Sequence, residues 1–440
     1  MEFSTLRPTS FQLWLFRWNP NPRHLLPRGR QLCSRRRTLA SMQDPGGSSP
    51  KHTRLVTFLG KGGSGKTTAA VLAAKLCAKQ GLLTCLIVHS QDLAVEQLMG
   101  CKIGNSPAMI SENLYAVRVE TSKMLLEPLD RMKRVDARMN LTQGILEGVV
   151  GEELGVLPGM DSIFSSLALH KYVNFLPSEK NYSPEYDIVI YDGISSEEML
   201  RLLGATERIR WYLKYVRNLA EKTDIGRLTA PSILKLAYES LKLNADPMEG
   251  KTSNDIWNDI EQILEIASAY YSDSSRFRCF LSMDPTRPMS VMSALRYWGC
   301  AIQAGTQVFG AFAFARNSSS VQEIKEKISP LCFAYLPYIS SYPSVDWDET
   351  LNSFSKDAKQ LLVGRSHSFD SVLFDQNQKA VTLFMPGFDK SEIKLFQYRG
   401  GSELLVEAGD QRRVIRLPIG MQGKVGGAKF IDRNLIVSLR

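Results

Sequence analysis

The rhythm of apolar residues changes along this chain, and each change predicts a different kind of element. From Arg54, "LVTFLG" is a short apolar run with no polar alternation, the pattern of a strand buried on both faces. A glycine-rich loop follows. Then "KTTAAVLAAKLCAKQG" puts Ala69, Leu72, Ala73 and Leu76 on one helical face, and Gly81 supplies a stop. "LTCLIVHS" is a second buried strand. Strand, helix, strand in this order is a βαβ unit, which requires a parallel sheet. Three more runs read as strands of the same sheet: "YDIVIYDG" (186–193), "FRCFLSMDP" (277–285) and "QVFGAFAFARN" (307–317).

Between these strands the period is helical. Residues about 120–180 and 205–275 are rich in Leu, Met and Ile, as in "MLLEPLDRM", "LTQGILEGVV" and "IWNDIEQILEIASAYY". They read as a helical subdomain inserted into the sheet topology. Its methionines suit either ordinary core packing or an adaptable apolar groove. Beyond 371 the period becomes two: "AVTLFMPG", "EIKLFQYRG", "ELLVEAG", "RRVIRLPIG" and "NLIVSLR" alternate, separated by Gly, Asp and Pro. That predicts a small all-β sandwich. The expected fold class is α/β, a doubly wound and mainly parallel sheet with an inserted helical subdomain, followed by the β sandwich. The expected boundaries are a leader at 1–45, the α/β domain at 46–345, a linker at 346–371 and the sandwich at 372–440.

Charge changes this picture only at the N-terminus. The formal charge of +9 could mark a nucleic-acid binder. However, eight of the 54 basic residues and one of the 45 acidic ones lie in residues 1–43, so the remainder carries only about +2. Nucleic acid is therefore not expected as a partner. An Arg-rich, acid-poor leader with Ser and Thr has the composition of an organelle transit peptide. Chloroplast stroma is the expected address, with the mitochondrial matrix as the alternative. The seven cysteines form no CxxC pair, so no zinc knuckle is visible. No apolar run nears the roughly 20 residues of a membrane helix, and membrane contact is expected to be transient at most.

The candidate chemistry sits in "LGKGGSGKTT" (59–68). Gly60, Gly65, Lys66 and Thr67 match G-x-x-x-x-G-K-[ST], in the required setting of a strand before and a helix after. Glycines let backbone N–H groups turn toward a phosphate, and the helix N-terminus favours an anion. The expected cofactor-binding residues are Gly60, Lys61, Gly62, Gly63, Ser64, Gly65, Lys66, Thr67 and Thr68, and the expected ligands are ATP and Mg²⁺. Lys66 is expected at the β- and γ-phosphates. Thr67 and Asp192, the latter at the end of "YDIVIYD", are expected to hold the metal. Asp187, ahead of that strand, reads as a cap or surface residue.

A second lysine directly after the first glycine, Lys61, marks a deviant loop. With "EELGVLPGMDSIFSSLAL" (152–169) and "DGISSEEMLRLL" after residue 191, the chain resembles the arsenite-pump ATPases and their relatives that target tail-anchored membrane proteins. The resemblance spans roughly residues 54–340. It implies an ATPase that works as a homodimer, with Lys61 reaching the partner's nucleotide as an arginine finger does in trans. It also implies hydrophobic membrane-protein segments as clients, held in an apolar helical groove and released on hydrolysis. By the same resemblance, Asn317 in "FARN" and Pro337 in "AYLPY" fall at adenine contacts.

The chain departs from the family's pattern in both switches. The family's STDPAHSLSD corresponds to "HSQDLAVEQLMG", where the aspartate that aligns the attacking water is Asp92 or, one residue earlier, is replaced by Gln91. In the second switch Ser195, Ser196, Glu197 and Glu198 replace the family's Pro, Thr, Gly and His. The resemblance thus leaves two expectations, a client-targeting ATPase and a slow-hydrolysing, nucleotide-gated scaffold; arsenite export would need a cysteine site that the sequence does not display. The C-terminal residues resemble the α-crystallin domain of small heat-shock proteins, with Arg433 or Asn434 where that pattern has Gly. This domain is expected either to handle extended peptides at its edges or to cap the ATPase.

Overall fold

A computed structural model describes residues 52–89, 92–120, 186–204, 253–314, 321–339, 345–364 and 369–440, with single positions at 134, 169, 172, 173, 217 and 222. All belong to one compact unit running Pro50–Arg440. The leader and most of the expected helical subdomain lie outside the described residues. From that subdomain the structure describes a 20-residue helix, Ser253–Ser272.

The large sheet has eight strands: β1 (Arg54–Leu59), β2 (Thr84–Val88), β3 (Ala108–Ser111), β4 (Leu114–Arg118), β5 (Ile188–Asp192), β6 (Phe277–Met283), β7 (Val308–Phe314) and β8 (Phe333–Leu336). Their order is β3-β4-β2-β5-β1-β6-β7-β8, with β1 paired in parallel to β5 on one side and β6 on the other. Only β3 runs antiparallel, at the edge. The strands read from unalternated apolar runs are all present, and their interior residues are buried on both faces. Three strands of this sheet escaped the sequence reading. They are β3 and β4, joined through a tight turn, and the short edge strand β8 with its alternating burial.

Among the described residues the helices are α1 (Lys66–Lys79), α2 (Ala94–Met99), α3 (Ser196–Leu203), α4 (the Ser253–Ser272 helix), α5 (Pro288–Gln303), α6 (Val321–Ile328), α7 (Trp347–Asn352) and α8 (Lys356–Val363). Helix α1 is more deeply buried than its one-faced periodicity predicts, since Ala70, Val71 and Ala74 are also enclosed. Part of its cover comes from α7, whose Asp348 accepts from Lys79 at 2.8 Å and whose Trp347 ring lies 5.1 Å below the Lys75 ammonium.

The expected linker at 346–371 is thus corrected. Helices α7 and α8 are capped by Asp346 and Ser355, and they bury Leu351, Phe354, Ala358, Leu361 and Leu362 against the sheet layer. Polar composition masked them because short helices carry their caps and charges in most of their residues.

The C-terminal sandwich has β9 (Val372–Asp375), β10 (Ala380–Phe384), β11 (Lys394–Tyr398), β12 (Glu403–Ala408), β13 (Gln411–Arg416), β14 (Val425–Ile431) and β15 (Asn434–Leu439). They form two antiparallel sheets, β14-β15-β10-β9 and β11-β12-β13. Arg433 is the residue in the left-handed region (φ 65) where the resemblance expects Gly. Its guanidinium leaves the turn and donates to the Lys327 carbonyl at the end of α6, 2.9 Å away.

The sandwich shares its hydrophobic core with the large domain. Trp298 on α5 meets Phe384 of β10 edge to face at 5.0 Å. Next to it, Gly299 has no room for a Cβ, which would enter the Pro386 carbonyl oxygen and the Phe388 ring. One turn earlier, Arg296 grips Glu392 through two 2.8 Å hydrogen bonds and lies 4.2 Å over the Phe388 ring. Helix α5 also packs on α3, the helix that follows the Asp192 strand, so one helix touches both the sandwich and the nucleotide end.

Candidate functional site

The glycine loop joins β1 to α1 at the carboxyl ends of the central strands, where α/β sheets bind ligands. Gly65 is left-handed at the turn into α1 (φ 86), and a Cβ there would meet the Phe314 ring. This conformation points the first turn of α1, from Lys66 through Thr67 and Thr68, at the loop's concave side. Gly62 and Gly63 are exposed on the rim. Ser64 is buried; its carbonyl accepts from the Ser282 hydroxyl at 2.7 Å, which ties the loop to β6.

The Lys66 ammonium lies back along the loop, donating to the carbonyls of Gly60 (3.0 Å) and Lys61 (3.3 Å). Desolvation holds its pKa below the ordinary lysine value, against the opposing charge of Asp192. Asp192 ends β5, 3% exposed, with Oδ1 accepting from the Thr67 hydroxyl at 3.3 Å. Burial pushes its carboxyl up to about 6; Thr67 and Lys66 oppose the shift, and the Asp92 charge adds to it. Asp192 Oδ2 is buried with no hydrogen-bond partner. A buried, unpartnered carboxylate oxygen beside a threonine hydroxyl suits a hard divalent cation. Thr67 and Asp192 would hold Mg²⁺, which supplies neutralisation of phosphate charge when bound.

Lys61 is exposed, and among the described residues its ammonium makes no hydrogen bond or ion pair. Asp92 is exposed at the start of α2, where Oδ1 accepts from the Ala94 amide at 3.1 Å. Gln91, the other candidate for the water-aligning position, lies outside the described residues, as does Asn317. Pro337 is half-buried directly after β8, four strands from β5 along the sheet order. Asp187 accepts the Leu83 amide at 2.9 Å and so caps the turn into β2, as its position suggests.

Two contacts at the site were not legible in the sequence. Ser196, at the start of α3, accepts from the Gly60 amide at 2.8 Å and donates to the Gly60 carbonyl at 2.7 Å, clamping the loop to the second switch. His89 and Tyr191, each buried at the end of its strand, meet at 2.6 Å between Nδ1 and the phenol oxygen. Burial depresses the His89 imidazole to about 4 and raises the Tyr191 phenol well above its usual range. Both contacts join segments more than 100 residues apart, which no local pattern reports.

Such a loop, with its lysine, hydroxyl and buried aspartate on a parallel sheet, defines a P-loop nucleotide hydrolase. The family model described as "Anion-transporting ATPase" matches residues 53–284, and the chain belongs to that family of ATPases. A second model, "HSP20-like domain found in ArsA", matches residues 376–439. The putative arsenical pump-driving ATPase of Chlorobaculum tepidum is 24% identical over 399 residues, covering 87% of this chain and 95% of that protein. Its counterpart in Prosthecochloris vibrioformis has the same identity and coverage. ATPase ASNA1 homolog 1 of Paramecium tetraurelia is 29% identical over 147 residues, 33% of this chain and 41% of that one.

Proposed function

We propose that the protein is a homodimeric, organellar ATPase that shields apolar membrane-protein segments and releases them when it hydrolyses ATP. One observation carries this reading. Leu93, Ile194, Met289 and Met292 are exposed apolar side chains on segments that leave the carboxyl ends of β2, β5 and β6. They therefore stand at the nucleotide end of the sheet, where a change in the bound nucleotide alters their surroundings first. The leader supports delivery to the chloroplast stroma, with the mitochondrial matrix as the alternative. The altered switches support slow turnover.

The test is co-expression with a model hydrophobic tail. A soluble complex whose lifetime shortens on ATP hydrolysis is the expected result. Failure to hold any such helix, with ATPase activity intact, favours the scaffold reading instead. Arsenite transport has less support. Burial raises the Cys77 thiol to about 12 and the Cys300 thiol to about 11, which makes them poor thiolate donors.

Lys61 supports the dimer. Lys66→Ala should abolish ATP turnover and weaken nucleotide binding together. Lys61→Ala should leave ATP affinity within about threefold while lowering kcat by about 100-fold or more, as removal of a trans cation does. Equal loss of affinity in both variants would place Lys61 in its own chain's site.

A further inference from the structure

We propose that His89 and Tyr191 form a positioning pair that sets the first switch against the strand bearing Asp192. The inference rests on the ATPase reading of this site. Tyr191 immediately precedes Asp192, and His89 is three residues before Asp92. Two bonds tie the segments. The His89 amide donates to the Asp192 carbonyl at 2.9 Å, and the imidazole Nδ1 meets the Tyr191 hydroxyl at 2.6 Å. The neutral ring makes that bond in either tautomer, as donor or acceptor. On its other side, the Tyr191 carbonyl accepts from the Thr57 hydroxyl of β1 at 3.0 Å, so the pair is anchored to the strand that feeds the glycine loop.

The geometry makes the pair more than core filling. The bond to the imidazole is made in a buried setting, where losing it leaves the Tyr191 hydroxyl without its hydrogen-bond partner. His89, at the start of the switch, therefore has one preferred placement relative to Asp192. Asp92 lies three residues further on, close enough for its charge to act on Asp192. The remaining charged and titratable groups acting on Tyr191 are Glu198 of α3 and Tyr271 of α4. Neither His89 nor Tyr191 is assigned contact with the nucleotide. They act through the placement of Asp92 and Asp192.

Tyr191→Phe keeps the ring in the core and removes only the hydroxyl. Its kcat should fall about tenfold while KM and the affinity for a non-hydrolysable ATP analogue stay within about twofold. In the nucleotide-free protein, hydrogen exchange at the His89 amide should quicken by about tenfold, because the second bond of the tie is gone. His89→Asn places a polar atom near the Nδ1 position and should retain most of the turnover; His89→Leu should not. The proposal is overturned by unchanged kcat in Tyr191→Phe, by a fall in kcat matched by lost analogue affinity, by unchanged exchange, or by Asn and Leu behaving alike. If no variant and no wild-type preparation hydrolyses ATP, the ATPase reading itself has failed, and the exchange measurement still decides whether the tie exists.

Discussion

Asp192→Asn should abolish Mg²⁺-dependent turnover and, in the nucleotide-free protein at pH 7, raise stability by about 1–2 kcal/mol. The carboxyl is held near pH 6 by burial, against an ordinary value of 3.8. That displacement corresponds to about 3 kcal/mol of penalty on the charged form. An unpartnered amide at the Oδ2 position returns about 1 kcal/mol or more of that. The sign follows from proton binding. Between about pH 4 and 6 the folded state holds the proton and the unfolded state does not, so stability falls as pH rises and the full penalty stands above about pH 6. The advantage of the variant should thus disappear near pH 4.

His89 acts in the opposite direction. Its neutral imidazole, depressed to about 4, contributes stability that is complete above about pH 6.5 and lost as pH falls toward 4. In the wild type the two slopes oppose each other; in Asp192→Asn the histidine's slope remains alone. Urea titrations from pH 4 to 8 read both effects. Added Mg²⁺ should stabilise the wild type and leave the variant unmoved.

Trp298→Ala should cost about 3–5 kcal/mol, the range for deleting a large buried aromatic. Trp298 is 2% exposed and lies where α5 meets β10, inside the core common to the two domains. Since the Gly299 and Arg296 contacts lock the same seam, the α/β domain and the sandwich should melt together. A single, earlier urea transition by circular dichroism is the expected result. Loss of the β signal alone, with the ATPase signal unmoved, would show that the sandwich is an independent appendage. The shared core packs the C-terminal domain on α5 and leaves β9, β11, β13 and β14 as edge strands.

Much of the candidate site was legible because it is local. The residues from Gly60 to Thr68 are contiguous, and the strand before them and the helix after them announce themselves by period. Asp192 was legible because it ends an apolar run. Its partner oxygen at Thr67 and its elevated pKa were not, since both depend on which strand lies beside β1. The linker expected at 346–371 failed for a related reason. Helices α7 and α8 are too short for their own period to be convincing, and their stability comes from the α1 and β7–β8 surfaces they cover. Arg433 shows the converse. The sequence marked a turn position lacking its usual glycine, and the structure supplies a reason, a hydrogen bond to the end of α6.

By itself, the sequence determined the class of chemistry and the two-domain plan. A phosphate loop is made by residue types in a fixed local order, and β alternation needs only its own period to be recognised. Tertiary structure alone decided which distant groups meet. It placed Ser196 on Gly60, His89 on Tyr191, and the sandwich on α5, because those contacts are set by strand order and by matching surfaces rather than by spacing along the chain. Lys61 belongs to both accounts: its place in the loop is written in the sequence, and its exposed ammonium, without a hydrogen bond or ion pair among the described residues, is known only from the fold.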